Sequence, residues 1–357
     1  MIITRNLGVS GIKTSMSSPV YINVKNEPFR IYGLCELYRR IPESVAAECR
    51  EGVQRLAANT AGARVRFRTN SEYIVVHAEL ESYDVPSSKA LIASKDFDMY
   101  LVGKDGKQHF HTIFSSSVPE EWGITESRIK FGNKEMRDIV LNLPLTANIK
   151  ELYIGLAAGS ELLPGSEYTH KKPVVFYGSS IVHGEGAMRP GNSYPSIISR
   201  RLNTDFVNFG FRGNATAEEA MMRYIAGMPM SIFVYDYDYN APSIEHLEAT
   251  HYAGYRIFRE KQPKTPVIFA SRVNYYEGDI AAHEKRRNII KESYYRALSE
   301  GDRNVYFIDG AKIYPADKRD ECTVDGCHPN DMGYSYMADA FGEVIKPLIE
   351  NNVKKKR

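Results

Sequence analysis

From residue 174 onward, short apolar runs and amphipathic stretches take turns five times, and this alternation constrains the fold more than any other feature of the chain. Val174 to Tyr177 precedes Ser193 to Leu202, Phe206 to Phe209 precedes Ala217 to Met228, and Ile232 to Asp236 precedes Ile244 to Lys261. Val267 to Ala270 with Ile280 to Leu298, and Val305 to Ile308 with Gly333 to Ile349, complete the series. Runs this short suit strands buried on both faces, and repeated strand-then-helix units pack as a parallel sheet with helices on both sides. Thr216 and Glu219 have the spacing of a capping box at the second helix, and Met337, Phe341, Val344, Ile345 and Leu348 form one apolar stripe on the last. The expected class is therefore α/β, with a five-stranded parallel sheet.

The chain before residue 165 follows a different rhythm. Ala63 to Leu80 alternates around Val65 and Phe67, passes a polar turn at Thr69 to Ser71 and re-enters an apolar run at Tyr73 to Val76, as a first hairpin would. Asp98 to Val102, a Lys104 to Gly106 turn and Gln108 to Phe114 form a second hairpin candidate, and Asp138 to Leu143 and Glu151 to Leu156 add two strands. Short strands between turn signals predict an all-β sandwich. Residues 159–173 lose apolar periodicity and carry Gly, Ser and Pro, as a linker would. The expected division is a β-sandwich domain over 1–165 and an α/β domain over 172–357.

Composition narrows the function classes. The 46 basic and 44 acidic side chains nearly cancel, so no global field draws in nucleic acid or an anionic membrane, and the basic tail Lys354 to Arg357 reads as a solvated terminus. Four cysteines in 357 residues form no disulfide scaffold, and the first residues lack the pattern of a secretory signal. A cytoplasmic location is expected, with a mature fragment of an exported protein left open. No apolar run approaches the ~20 residues of a membrane span. Oligomeric state is not legible.

In open α/β sheets ligands bind beyond the carboxyl ends of the strands, so the loops there are where chemistry belongs. After the first of these strands comes Gly178-Ser179-Ser180-Ile181, a serine in a tight turn. A serine hydroxyl becomes a nucleophile when a neighbouring base takes its proton. After the fifth strand lies Asp325-Gly326-Cys327-His328-Pro329, where a carboxylate three residues before an imidazole can fix its tautomer. Each piece has a plainer explanation, a common Gly-Ser turn and a capping aspartate beside a surface histidine. Cys322, Cys327 and His328 do not supply the four ligands of a zinc site, and no metal is expected. His183, and the alternating His109 and His111, are read as structural or solvent-facing.

Taken together with Asn208-Phe209-Gly210-Phe211-Arg212-Gly213-Asn214 and Asp236-Tyr237-Asp238-Tyr239-Asn240, these blocks resemble the SGNH, or GDSL-like, hydrolase family over residues 172–350. The resemblance implies a flavodoxin-like fold with Ser180 as nucleophile, His328 as base and Asp325 as orienting acid. It implies an oxyanion hole from the Ser180 N–H, the Gly213 N–H and the Asn240 amide. Two departures stand out: Ser179 occupies the position of the family's aspartate, and Ala241 follows Asn240 where a second aspartate is usual. Lys95-Asp96-Phe97-Asp98-Met99-Tyr100 resembles a short signature of β-rich, jelly-roll-like domains that precede some members, carbohydrate esterases among them.

The expected function is a serine esterase acting on short-chain, chiefly acetyl, esters of a carbohydrate or small molecule through an acyl-enzyme, with no cofactor. Arg189, in the loop after the nucleophile, is a candidate for holding a polar alcohol portion; a surface ion pair is its structural alternative. A true lipase is expected to carry an apolar lid, and none is evident. Tyr235, Tyr237 and Tyr239 alternate along one strand and suit either a sugar or core packing. The competing functions are a thioesterase or lysophospholipase on the same triad, and a non-catalytic glycan-binding protein on a hydrolase scaffold.

Overall fold

A computed structural model describes residues 18–116 and 123–354. Its amino-terminal part opens with β1 (Val20–Asn23), β2 (Arg30–Tyr32), α1 (Glu43–Ala47) and α2 (Glu51–Leu56). The strands β3 (Arg64–Thr69) and β4 (Tyr73–Ser82) follow, then α3 (Leu91–Lys95), β5 (Phe97–Val102), β6 (Gln108–Phe114), β7 (Ile124–Lys130), β8 (Arg137–Asn142), β9 (Asn148–Leu156) and β10 (Leu162–Pro164). These strands form two antiparallel sheets, ordered β1-β9-β4-β7 and β10-β3-β8-β5-β6, with β2 also paired to β3. The pleat sends alternate residues inward. Val65, Phe67, Ile139 and Leu141 of one sheet therefore meet Ile74, Val76, Leu152 and Ile154 of the other in a single core.

The β5–β6 hairpin forms as expected, closed by Gly106 at φ 73°. The turn at Thr69 to Ser71 does something else: β3 and β4 lie in different sheets, and the turn is the corner between them. Ser71 fixes that corner, its hydroxyl donating to the Tyr73 carbonyl (2.5 Å) and accepting from the Ala157 N–H (2.9 Å). The stretch read as a linker holds β10, paired with β3, and the start of the next strand. Its short edge pairing leaves one face in solvent and needs no apolar periodicity.

The second part contains β11 (His170–Gly178), α4 (Ser180–His183), α5 (Tyr194–Leu202), β12 (Thr204–Gly210), α6 (Glu219–Gly227), β13 (Ile232–Asp236) and α7 (Ile244–Lys261). Then come β14 (Val267–Ala270), α8 (Ile280–Ser299), β15 (Val305–Ile308) and α9 (Asp331–Lys354). The five strands make one parallel sheet in the order β12-β11-β13-β14-β15. Val174, Phe176, Val234 and Ile268 pack beneath α5 and α9, while Tyr177, Phe209, Phe233 and Tyr235 pack beneath α6, α7 and α8. No helix among the described residues is long and apolar enough to cross a membrane.

Two local expectations fail. The capping box at Thr216 does not form: α6 starts later, with Glu218 at its N-cap and no side-chain cap, because Ala217 takes a positive φ of 57° and gives its N–H to the Tyr177 hydroxyl. The amino-terminal part is also not purely β. Ile41, Val53 and Leu56, in and beside α1 and α2, join the core of the parallel sheet, packed with Phe209, Met221 and Met222. Helices this short carry too little periodicity to stand out in a sequence.

At the end of β13, Asp236 is buried, accepts from the Tyr194 hydroxyl (2.9 Å) and has its carboxyl pushed up to about 8, chiefly by burial. The native protein therefore keeps a proton there that the unfolded chain releases near the ordinary carboxylate value of ~4. The stability this confers is complete below that value and is lost as pH rises through about 8. Thermal unfolding between pH 5 and 8 should show the wild type losing several degrees relative to Asp236→Asn. A gap that does not change with pH would contradict the assignment.

Candidate active site

The carboxyl end of β11 turns directly into α4. Gly178 is required at that turn, since a Cβ there would lie 2.0 Å from the Asp236 carbonyl oxygen of the adjacent strand. Ser179 caps α4, its hydroxyl accepting from the Ile181 N–H (3.2 Å), which leaves Ser180 as the first helical residue. From the loop before α9, His328 reaches back across the sheet, and its Nε2 lies 2.9 Å from Ser180 Oγ. The opposite ring nitrogen, Nδ1, is 2.7 Å from Asp325 Oδ2.

Asp325 does more than touch the ring. Its Oδ1 accepts from the backbone N–H groups of His328 (2.7 Å) and Cys327 (3.0 Å), so one carboxylate fixes both the turn and the imidazole. Burial alone would raise its carboxyl, but these hydrogen bonds outweigh it and hold Asp325 below the usual carboxylate range. The loop is further closed by Val324 N–H to the His328 carbonyl (2.9 Å), by Asn330 N–H to the Cys322 carbonyl (3.0 Å), and by Asn274 Nδ2 to the Gly326 carbonyl (2.5 Å). Gly186 lets the loop after α4 pass against it: a Cβ there would lie 2.2 Å from the Pro329 carbonyl oxygen.

Two further loops end at this edge of the sheet. Gly213 is exposed at φ 77°. Asn240 ends a short 3-10 turn after β13; its Oδ1 accepts from the Ala215 N–H (3.2 Å), and among the described residues the NH₂ end of the amide has no acceptor. Tyr235 and Tyr237 are core residues, stacked on each other (4.8 Å between centroids) and on His251. His109 and His111 are exposed; His109 faces Asp105 and His111 stacks on Phe131. Among the described residues no group of three or more His, Cys, Asp or Glu side chains is arranged to hold a metal.

The sequence reading missed the groups behind the site. Buried Asn208 ties β12 to α4, donating to the Val182 carbonyl (2.7 Å) and accepting from the Gly210 N–H (2.9 Å). Arg40, 0% exposed, donates to the carbonyls of Asn208 (3.0 Å), Gly210 (2.8 Å) and Leu56 (2.6 Å). Glu185, whose N–H returns to the Ser180 carbonyl (2.9 Å), pairs with Arg212 (2.9 Å) and Lys89 (3.7 Å) and accepts from the Ser88 hydroxyl (2.7 Å). Arg212, beside Gly213, also pairs with Asp84 (2.9 Å). Burial pushes the Lys89 ammonium down to about 7 despite Glu185, and keeps His183, 3.3 Å away, neutral. Asp84, Ser88 and Lys89 come from a segment without periodicity, so only the charge of Asp84 and Lys89 could have flagged it.

Arg189 has its partners in the amino-terminal sheets. Its Nε is 3.3 Å from Asp98 Oδ2, and its guanidinium lies over the Phe110 ring at 3.9 Å. Asp98, the second aspartate of the 95–100 signature, also accepts from the Gly191 N–H (2.9 Å) and Asn142 Nδ2 (2.8 Å). Burial raises its carboxyl in spite of these donors. The signature thus docks the β-rich part onto the loop that follows α4.

Comparison with known proteins agrees with this architecture. The GDSL-like lipase/acylhydrolase family model matches residues 171–346, and the model of the GxDLY domain, the N-terminus of SGNH hydrolase-type esterases, matches residues 20–162. The chain belongs to the SGNH, GDSL-like family of ester hydrolases, in the form that carries an amino-terminal GxDLY domain. A crystal structure of a putative GDSL-like lipase from Bacteroides ovatus is 27% identical, with a TM-score of 0.83 over 93% of this chain and 98% of that one. A salicylyl-acyltransferase from a tetracycline biosynthetic pathway is 19% identical, with a TM-score of 0.74 over 90% and 95%. An acetyl xylan esterase from the rumen bacterium Butyrivibrio proteoclasticus is 13% identical, with a TM-score of 0.58 over 92% and 98%. No curated protein matches the chain.

Replacing Asp98 by alanine leaves a buried N–H and a half-buried guanidinium without their acceptor. Loss of one partner of such a pair costs roughly 3–5 kcal/mol. A thermal melt of Asp98→Ala should fall several degrees below wild type, whereas an unchanged melt would show that this contact does not hold the two parts together.

Proposed function

We propose that the protein is a serine esterase that removes short acyl groups, acetyl foremost, from a carbohydrate. The observation that carries this reading is the unbroken Ser180–His328–Asp325 chain, 2.9 Å and 2.7 Å between polar atoms. In it His328 Nε2 takes the Ser180 proton as Oγ attacks the ester carbonyl, and Asp325 stabilises the imidazolium that forms. The carbonyl π electrons move onto oxygen, where the N–H groups of Ser180 and Gly213 and the Asn240 amide donate to the oxyanion. Collapse expels the alcohol, protonated by His328, and leaves an acyl-Ser180. Water, deprotonated by the same imidazole, then attacks the acyl carbonyl to release the acid and restore the serine.

The anchoring of Asn240 Oδ1 by Ala215 supports its role, because it turns the amide's donor end outward. The family's carboxylic ester chemistry and the two-part fold shared with an acetyl xylan esterase support an acetylated sugar as substrate. Arg189, drawn off by Asp98 and Phe110, enters this reading as a residue that positions the 189–192 loop.

p-Nitrophenyl esters of increasing chain length test the proposal. Acetate should be cleaved with the highest kcat/KM, Ser180→Ala should lower it at least about ten-thousand-fold, and Asn240→Ala about a hundred- to a thousand-fold. Preference for octanoate would overturn the short-acyl assignment, and undiminished turnover by a folded Ser180→Ala protein would remove the nucleophile.

A further inference from the structure

The loops after β14 and β15 carry two guanidinium groups that the reaction above does not use. Arg272, just past β14, lies over the Tyr239 ring with its guanidinium carbon 4.4 Å from the centroid. Arg319, in the loop before the triad histidine, lies 3.7 Å above the ring of exposed Tyr276. Of the other partly buried arginines of this domain, Arg212 pairs with Glu185, Arg259 with Asp302, Arg286 with Asp238 and Arg287 with Asp309, while Arg200 donates to the Gly191 carbonyl and lies over the Tyr100 ring. Among the described residues neither Arg272 nor Arg319 has an ion pair, and the Nε of half-buried Arg272 has no hydrogen-bond acceptor. The nearby Asp238 carboxylate accepts only the backbone N–H of Arg272 (3.0 Å), its charge being matched by Arg286 Nε (2.8 Å).

The position of Arg272 gives this excess charge meaning. Tyr239, on which it stacks, immediately precedes Asn240. The Tyr239 hydroxyl is hydrogen-bonded to Asn274, whose amide donates to the Gly326 carbonyl two residues before His328. The positive charge of Arg272 also reaches the thiol of Cys327, the residue next to His328. Arg272 therefore sits between the loop of the proposed oxyanion donor and the loop of the base, at the edge of the sheet where an ester on Ser180 must lie.

We propose that Arg272 forms an anion subsite and that the physiological ester carries a carboxylate beside the scissile bond, on its acyl or its alcohol part. A guanidinium held over a tyrosine ring loses little freedom on binding and offers a planar fork that matches a carboxylate. This inference rests on the esterase reading and narrows it to acidic esters, such as those of a uronic acid.

Matched ester pairs test it. Acetoxybenzoate against its methyl ester places the charge on the alcohol side, and the mono-p-nitrophenyl ester of glutaric acid against its methyl ester places it on the acyl side. One anionic member should be preferred over its neutral counterpart by about tenfold or more in kcat/KM, as expected for a charged hydrogen bond. Arg272→Gln should abolish the preference and Arg272→Lys should restore part of it; a general loss of activity cancels from the ratio. Equal rates within both pairs, or a preference untouched in Arg272→Gln, would overturn the subsite. Calorimetry on the Ser180→Ala protein with the same compounds separates the two claims. Carboxylate-dependent binding without turnover by wild type would sink the esterase reading and leave the subsite, whereas turnover without charge preference would do the reverse.

Discussion

The structure depends on one long-range contact, the hydrogen bond from Ser180 to His328 across 148 residues of chain. A parallel sheet sends all its βα loops to the same edge, but the loop after β15 starts at the far side of the sheet and must cross β14 and β13 to reach the end of β11. Several brackets carry it over. Asn274 holds Gly326, Gly186 admits the Pro329 backbone, and the Tyr334 hydroxyl on α9 reaches the carbonyls of Ile181 (3.0 Å) and Glu185 (2.6 Å). The imidazole is thus positioned by backbone contacts on both sides, with Asp325 as the last member rather than the sole anchor.

Behind this edge lies a second constraint, buried charge at the junction of the two parts. Arg40, Lys89 and Asp98 come from the amino-terminal half, yet their partners are the Asn208 and Gly210 carbonyls of β12, the Glu185 carboxylate after α4 and the Gly191 N–H. Charges this deep are tolerated only when paired, so the junction has little freedom to slide. α1 and α2 add apolar contacts to the same face. In physical terms the β-rich part is packed into the parallel-sheet part rather than tethered to it.

The sequence was most legible where periodicity was strong. The five βα units were located within a few residues because strands buried on both faces and amphipathic helices leave different rhythms. Ser180, Asp325 and His328 were singled out together through family resemblance, not through spacing, since nothing local places residue 180 beside residue 328; the structure brings the three side chains within hydrogen-bond distance. What escaped had no local signal. The Thr69–Ser71 corner looks like a hairpin turn until both sheets are seen, and the Thr216 cap yields to a tertiary bond between Ala217 and Tyr177. Lys89, Glu185 and Arg212 are ordinary surface types whose burial is decided only by docking. Arg189 was a candidate for the substrate with an ion pair as its alternative, and the carboxylate that pairs with it lies in a distant strand.

Covalent labelling with a fluorophosphonate, followed by mass spectrometry of the modified peptide, probes the Ser180–His328 contact itself. One adduct per chain is expected, on Ser180, formed rapidly by wild type and slowed by orders of magnitude in His328→Ala. An adduct on another residue, or labelling of Ser180 at the same rate without the imidazole, would contradict it.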